Sequence, residues 1–102
     1  MPFEITEEQR RAALAKAAEA RRMRAEIKEL LKTGSLTLAE VFDRAETDDL
    51  VAGTKIFSLL SSMPGLGKIR SIRLMEELGI PDNRRIRGLG ARQRQALLEH
   101  FA

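Results

Sequence analysis

The sequence contains no cysteine, no tryptophan and no tyrosine, and its only histidine is His100. The first absence excludes disulfides and thiolate chemistry, and a single histidine excludes a metal site built from several imidazoles. The core must therefore be mostly aliphatic, with four phenylalanines. No apolar run approaches the roughly 20 residues that span a bilayer, and residues 1–9 do not resemble a signal peptide. We expect a cytoplasmic protein without metal, cofactor, small-molecule substrate or membrane partner.

The charges are unevenly distributed along the 102 residues, which is more informative than the formal net charge of +3. Residues 10–32 carry eight bases and three acids, and residues 65–102 carry eight bases and four acids. The segment 33–64 between them has two bases and five acids. Arginine outnumbers lysine 13 to 5, and arginine is the better bidentate partner of phosphate. This segregation favours a polyanionic partner, although a solvated charged surface explains it equally well.

The first part of the chain predicts one long helix. Thr6 and Gln9 form a capping box, and the next glycine or proline comes only after Lys32. Such a helix of about 26 residues would be roughly 40 Å long. Because apolar residues concentrate in its second half, we expect that half to dock while the first half projects. The predicted organisation is an arm over residues 1–35 and a compact helical domain over residues 36–102.

Shorter helices are predicted in the rest of the chain. A second capping box runs from Thr37 to Glu40, Thr54 is expected to cap a helix through Ser62, and a last helix follows Gly90. No alternating strand pattern of useful length is present, so the fold class should be all-α. The helix after Lys68 is expected to bury one apolar face, formed by Ile69, Ile72, Met75 and Leu78.

The segment from Met63 to Lys68, with the sequence MPGLGK, predicts a tight turn between two helices. Proline and glycine end the first helix, and Gly65 and Gly67 allow another backbone to come close. The first amides of the following helix, its dipole and Lys68 together suit a phosphate. With the small Ser71 four residues after the second glycine, the pattern is typical of a helix-hairpin-helix unit. A purely structural turn between packed helices is the alternative.

Further basic residues are candidates for the same partner. Three arginines occur within four residues after the helix-breaking Pro81, and one of them could instead pair with Glu76 or Glu77. The long helix offers a second, separate contact, and the outer face of the helix after the hairpin offers another base. The candidates outside the hairpin are Arg84, Arg85, Arg87, Arg21, Arg22, Arg24 and Arg70. A second Gly-Leu-Gly, at residues 88–90, has Arg94 at the small position and is therefore not expected to repeat the hairpin.

The two segments GTKIFSLLSSMPGLGKIRSIRLMEELGI and PDNRRIRGLGARQRQALLEHF, after an alanine-rich capped helix, resemble the actinobacterial integration host factor family. The resemblance covers essentially the whole chain. It implies a helix-two-turns-helix unit, as in a ribosomal small-subunit protein, and a nucleoid-associated protein that bends duplex DNA with little sequence specificity. It also implies that the phosphate-binding hairpin is formed by Gly65, Leu66, Gly67 and Lys68, and the family's basic cluster by Arg84, Arg85 and Arg87.

Two other function classes compete with this interpretation. Helix-hairpin-helix glycosylases carry a catalytic lysine where this chain has Ile69, and the N-terminal proline of related glycosylases is followed by glutamate, whereas Pro2 is followed by Phe3. We therefore expect no enzyme. A structured-RNA or ribosome-associated module is the second alternative, since backbone capture works on either polymer. The absence of tyrosine and tryptophan argues against single strands. We expect a monomer in the nucleoid that binds double-stranded DNA.

Overall fold

The computed structural model describes residues 4–102, so Pro2 and Phe3 lie outside the described residues. Over that range the chain forms six α-helices and one 3₁₀ turn, Ile86–Gly88. The helices, in chain order α1 to α6, are Glu7–Lys32, Leu38–Ala45, Asp49–Ala52, Ile56–Leu60, Lys68–Glu77 and Ala91–His100. The only extended pairing among these residues is an isolated antiparallel bridge between Lys55 and Arg85. The predicted all-α class is confirmed.

The long helix α1 begins as its capping box predicts. The Thr6 side chain accepts a hydrogen bond from the Gln9 N–H at 3.1 Å, and the Gln9 side chain accepts one from the Thr6 N–H at 2.9 Å. Its C-terminal half packs on the domain, where Ile27 and Leu31 are almost fully buried, whereas Leu14 in the first half is 62% exposed. The division into an arm and a domain stays a prediction, because α1 and the later helices share one core.

That core is built from aliphatic side chains around one phenylalanine, Phe42. Branched side chains from all six helices fill most of it, with α3 contributing Val51 and α6 contributing Leu97. A buried Met75 comes from α5. The largest members are Phe42, Ile27, Leu31, Ile56, Leu59, Leu60, Met75 and Leu97. Burying them removes apolar surface from water at roughly 25 cal/mol per Å², which is the main force holding these short helices together.

The expected cap at Thr54 is wrong. Its hydroxyl is fully buried and donates to the Leu50 carbonyl at 3.4 Å instead, so α4 starts later and covers only Ile56–Leu60. The Ile56 N–H, at the start of α4, donates to the Arg84 carbonyl at 2.9 Å. The Ile86 N–H donates to the Thr54 carbonyl at 3.0 Å. A tertiary pairing therefore replaces the local cap, and it fixes residues 84–86 beside the start of α4.

The expected inner face of α5 is wrong at Ile69 and Ile72, whereas Met75 and Leu78 do pack on the core as predicted. Ile69 is 70% exposed and Ile72 is 43% exposed, whereas Ser71, Leu74 and Met75 are buried. The positions 71, 74, 75 and 78 lie on one side of a helix, and this side is rotated around the axis relative to the predicted face while sharing Met75 and Leu78 with it. A small side chain at residue 71 permits this rotation, because it lets the helix approach the core closely.

Ser71 links this buried face to the hairpin. Its side chain has no exposed surface, and its hydroxyl donates to the Gly67 carbonyl at 2.7 Å. The Ser71 N–H donates to the same carbonyl at 3.1 Å. The two bonds orient the peptide group at the start of α5, so the hairpin geometry depends on a residue of the core.

We expect Ser71→Leu to lower the free energy of unfolding by about 1–3 kcal/mol or more, because the site has no space for added carbons. Ser71→Ala should cost about 1 kcal/mol or less, since the Gly67 carbonyl keeps its backbone partner. Thermal melts by circular dichroism measure both, at about 4–8 °C per kcal/mol for a domain of this size. Equal melting of the two variants would contradict the close packing at residue 71.

Candidate nucleic-acid interface

The hairpin, residues 63–68, is a tight turn followed by an unusual glycine. The Leu66 N–H donates to the Met63 carbonyl at 3.2 Å, with Pro64 and Gly65 at the two central positions. Gly65 has φ +76°, as the third residue of a type II turn requires. Gly67 has φ +50° and ψ 178°, a combination essentially restricted to glycine. Both glycines are therefore needed for the backbone path itself.

The outer surface of both glycines is open. A Cβ added to Gly65 or Gly67 would have no heavy atom within 4 Å, whereas a Cβ on Gly53 would lie 3.1 Å from the Arg87 guanidinium. Internal packing does not explain the absence of side chains in the hairpin. What remains is an exposed stretch of backbone that another molecule can approach closely.

The N-terminus of α5 has no side-chain cap. Side chains of Thr6, Thr37 and Asp48 accept hydrogen bonds at the starts of α1, α2 and α3, whereas the N-cap residues of α4, α5 and α6 make no such bond. In the capping box of α2, the Thr37 N–H and hydroxyl donate to the Glu40 carboxylate, and these two hydrogen bonds lower the pKa of that carboxyl.

In the described residues, the first amide of α5 with a partner is that of Ser71. The N–H groups of Lys68, Ile69 and Arg70 have no acceptor in this part of the chain. With the exposed Lys68 ammonium beside them, these donors form an arrangement suited to an anion.

The structure gives Leu66 and Arg70 supporting positions. The Leu66 side chain is half-buried and packs against the core. The Arg70 guanidinium donates to the Gly65 carbonyl at 3.0 Å. This bond closes the hairpin on the α5 side and uses one of the five N–H donors of arginine, which leaves the others for a ligand.

The three arginines after Pro81, here called the arginine cluster (Arg84, Arg85 and Arg87), each donate to a backbone carbonyl. Arg85 donates to Gly53 and Arg87 donates to Asp49 at 2.9 Å. The Gly53 carbonyl lies at the C-cap of α3, whereas Asp49 is the first residue of this four-residue helix. The two guanidinium groups are exposed and held in place, with several N–H donors remaining on each.

Arg84 differs from the other two members of the cluster. It is half-buried and donates to the Gly88 carbonyl at 2.7 Å and to Gln93 Oε1 at 3.3 Å. Gln93 in turn accepts from the Gly90 N–H and donates to the Gly79 carbonyl. Arg84 thus stabilises the connection into α6. Within residues 4–102 the ion pairs are Arg11–Glu7 and Arg94–Glu46, so no cluster arginine pairs with Glu76 or Glu77.

A groove of about 340 Å³ joins the long helix to the arginine cluster. It is lined by Arg24 of α1, Lys55 and Ser58 at α4, and Arg85. Arg24, a candidate on α1, therefore lies beside the cluster rather than apart from it. Arg21 and Arg22 are exposed and do not line this groove. Sequence reasoning missed Lys55, which has no motif around it and approaches Arg85 only through the backbone bridge.

A second groove, of about 550 Å³, lies between α1 and the hairpin. Its basic residues are Lys28 and Lys32, one turn apart on α1, with Glu29 between them in the sequence. Pro64 and Gly65 form its opposite side. Arg24, Lys28 and Lys32 follow one another at intervals of four residues, so the same side of α1 borders both grooves. Only helical spacing signalled this in the sequence.

The second Gly-Leu-Gly is not a second hairpin, as its arginine indicated. Gly90 has φ −71°, and the positive-φ glycines of the described chain do not include Gly88 or Gly90. The Arg94 guanidinium lies 5.3 Å from the centre of the Phe42 ring and 3.3 Å from the Glu46 carboxylate. Arg94 therefore packs α6 onto α2 instead of facing a ligand.

Comparison with known proteins agrees with this geometry. The family model described as "S13-like H2TH domain" matches residues 31–101. Proteins named integration host factor from Mycolicibacterium smegmatis and Mycobacterium tuberculosis are 51% and 50% identical over 98 residues, which cover 96% of this chain and 93% of each relative. The chain belongs to the actinobacterial integration host factor family. A solved structure described as sIHF bound to an 8 bp palindromic DNA is 44% identical, with a TM-score of 0.83, covering 86% of this chain and 99% of that one.

Two other classes of site receive no support from the described residues. They contain no group of three or more His, Cys, Asp or Glu side chains that could hold a metal ion. In the same range, no helix is both long enough and apolar enough to cross a membrane.

We expect Arg84→Ala to lower the free energy of unfolding by about 1–2 kcal/mol, because it removes the donor to two internal acceptors. Arg22→Ala is the control, since that exposed arginine should change stability by no more than about 0.5 kcal/mol. Urea titrations followed by circular dichroism measure both values. Equal stability of the two variants would contradict the structural assignment of Arg84.

Proposed function

We propose that this protein is an architectural, nucleoid-associated binder of duplex DNA, which it holds by the sugar-phosphate backbone with low sequence specificity and bends or bridges. The observation that carries the proposal is the uncapped start of α5. There, the free amides at Lys68, Ile69 and Arg70 adjoin two glycines with open outer surfaces. Membership of the integration host factor family, and the likeness to a family structure bound to DNA, support the same function.

The hairpin would bind one phosphate of the duplex. Backbone N–H groups at a helix N-terminus donate to phosphate oxygens, and the helix dipole favours the negative charge. The Lys68 ammonium adds a full positive charge at the same place. Because these groups contact only the backbone of the nucleic acid, they position the duplex without selecting bases.

Arg85 and Arg87 would bind neighbouring phosphates or enter the minor groove. Their bonds to Gly53 and Asp49 fix the guanidinium groups in advance, so less side-chain entropy is lost on binding. Arg24 and Lys55 extend this positive surface along the first groove, and Arg21 and Arg22 extend it along the exposed side of α1. We assign Arg84 a supporting role within the cluster, since its Nη1 donates to the Gly88 carbonyl and to Gln93 Oε1.

The basic side of α1 borders both grooves, and this arrangement bears on whether the protein presents one positive surface or two. The first groove ends at the arginine cluster and the second ends at the hairpin. We therefore favour a monomer that presents one connected positive surface rather than two unrelated ones. Binding alone suffices for the architectural function, so we assign no catalytic residue, and we place the protein in the cytoplasm at the nucleoid.

A structured-RNA or ribosome-associated role is the second candidate, favoured by the S13-like description of the matching family model. The hairpin would hold an RNA phosphate in the same way. Titration of the protein against duplex DNA, duplex RNA and single strands of the same sequence separates the candidates. Tightest binding to duplex DNA supports the first, and tightest binding to duplex RNA supports the second.

Binding to a random DNA duplex should be steeply salt-dependent. If about five phosphates are neutralised, the slope of log K against log salt should be about −4 to −5. Arg85→Ala and Arg87→Ala should each reduce its magnitude by about 0.9, and Arg84→Ala should reduce it less. Fluorescence anisotropy with a labelled duplex between 50 and 200 mM salt, the range over which such slopes are measured, gives these values. A flat salt dependence in the wild type would contradict the proposal.

Gly65→Glu should abolish most DNA binding, because it adds bulk and negative charge where a phosphate must approach. Gly79→Glu is a matched control: Gly79 also has a positive φ, +68° against +76°, and also has open space around it. Both variants should lose about 1–2 kcal/mol of stability from backbone strain. Mobility-shift titrations beside thermal melts compare them. Equal loss of binding in the two variants would show that the hairpin is only a structural turn.

A further inference from the structure

Ile69 is a large apolar side chain that the protein leaves in water. It is 70% exposed. Among the other large apolar side chains of residues 4–102, that of Ile5 is the most exposed, at 69%. Its neighbours in the sequence, Lys68 and Arg70, are also exposed. An exposed isoleucine does not favour solubility, and this one contributes little to the core. Its exposure either serves a contact with another molecule or has no function.

The location of Ile69 relates it to the hairpin. It is the second residue of α5, and its N–H is one of the amides without an acceptor in the described chain. Side chains of an α-helix point back toward its N-terminus and cover the preceding turn. The Ile69 side chain is therefore expected on the hairpin side of α5, next to a stretch of backbone whose glycines leave open space around them.

Ile72, one turn further along α5, has a different environment. It is 43% exposed and lines a groove of about 260 Å³ with Met75 and Ile80. The same groove includes Glu76 and Asp82. Two carboxylates would repel a polyanion at this end of the helix. Ile69 is thus the apolar side chain placed among the positive charges and free amides, and Ile72 is the one placed among negative charges.

We propose that Ile69 packs against the deoxyribose carbons that adjoin the phosphate held by the hairpin, and so supplies an apolar contact within an otherwise electrostatic interface. The sugar presents C–H groups beside each phosphate, and burying an isoleucine against them removes apolar surface from water. The charges of Lys68 and Arg70 identify the occupant, because an apolar residue between cations fits the backbone of a polyanion better than an apolar protein surface. This inference rests on the proposed DNA binding at the hairpin.

The test measures affinity for one random duplex at several salt concentrations, with Ile69→Ala, Ile72→Ala and Lys68→Ala beside the wild type. Ile69→Ala should weaken binding about three- to tenfold at every salt concentration, because part of an isoleucine's burial is lost. Its salt slope should not change, since an apolar contact releases no counterions. Lys68→Ala should instead reduce the magnitude of the slope by about 0.9. Thermal melts control for folding.

Ile72→Ala should bind as tightly as the wild type, and it controls for the loss of an isoleucine from the same helix. Wild-type affinity of Ile69→Ala, or equal weakening by Ile69→Ala and Ile72→Ala, would overturn the inference. In either case, a reduced slope in Lys68→Ala would leave the proposed function intact. If Lys68→Ala and Ile69→Ala both bind like the wild type, the hairpin is not the DNA contact and the inference fails, whereas a wild type that does not bind duplex DNA would overturn the proposed function itself.

Discussion

The double hydrogen bond from Ser71 to the Gly67 carbonyl is the constraint on which the rest of the surface depends. It joins a residue of the core to the peptide group that starts α5. Because that carbonyl is directed into the protein, the following amides remain free at the surface. The exposed glycines, the lysine and the isoleucine around them all take their positions from this orientation. The packing of the core therefore also determines the geometry of the candidate site.

The arginine cluster is also held in position by hydrogen bonds within the protein, although the groups that make them are different. A loop of basic residues would lose much side-chain entropy on binding a phosphate. Here a two-bond backbone pairing aligns the loop with the start of α4, and carbonyls of α3 and its C-cap hold Arg85 and Arg87. The Gly53 carbonyl at the C-cap of α3 accepts from Arg85, and the Asp49 carbonyl accepts from both Arg87 and the Gly53 N–H. The hairpin thus offers unpaired amides at a helix start, whereas the cluster is held in place by carbonyls of a neighbouring short helix.

The sequence was sufficient for features that depend on local chemistry. The capping boxes at Thr6 and Thr37, the turn glycines and the all-helical class follow from rules that act over a few residues. The family resemblance carried by the GLGK and RRIR segments is confirmed by the relatives.

Features set by tertiary contacts were mistaken or missed. Ile69 and Ile72 have the spacing of a buried face, but close packing at Ser71 rotates α5 and exposes them. Thr54 has the composition of a cap, but a pairing with a segment 30 residues away replaces it. The role of Lys55 likewise appears only when the chain is folded. The site residues themselves stay predictions.

The exposure gradient along α1 has a consequence for how the helix is formed. An isolated helix of about 12–15 residues is only marginally stable in water, because its first turn is costly to nucleate. The residues around Leu14 gain little from burial, so the docked turns at Ile27 and Leu31 act as a permanent nucleus from which helical order spreads outward. Order decreases with distance from this anchor, and the free end of α1 unwinds first. The length of α1 that stays helical, and with it the length of its basic side, is then set by its docking on the core. That length shortens as temperature rises.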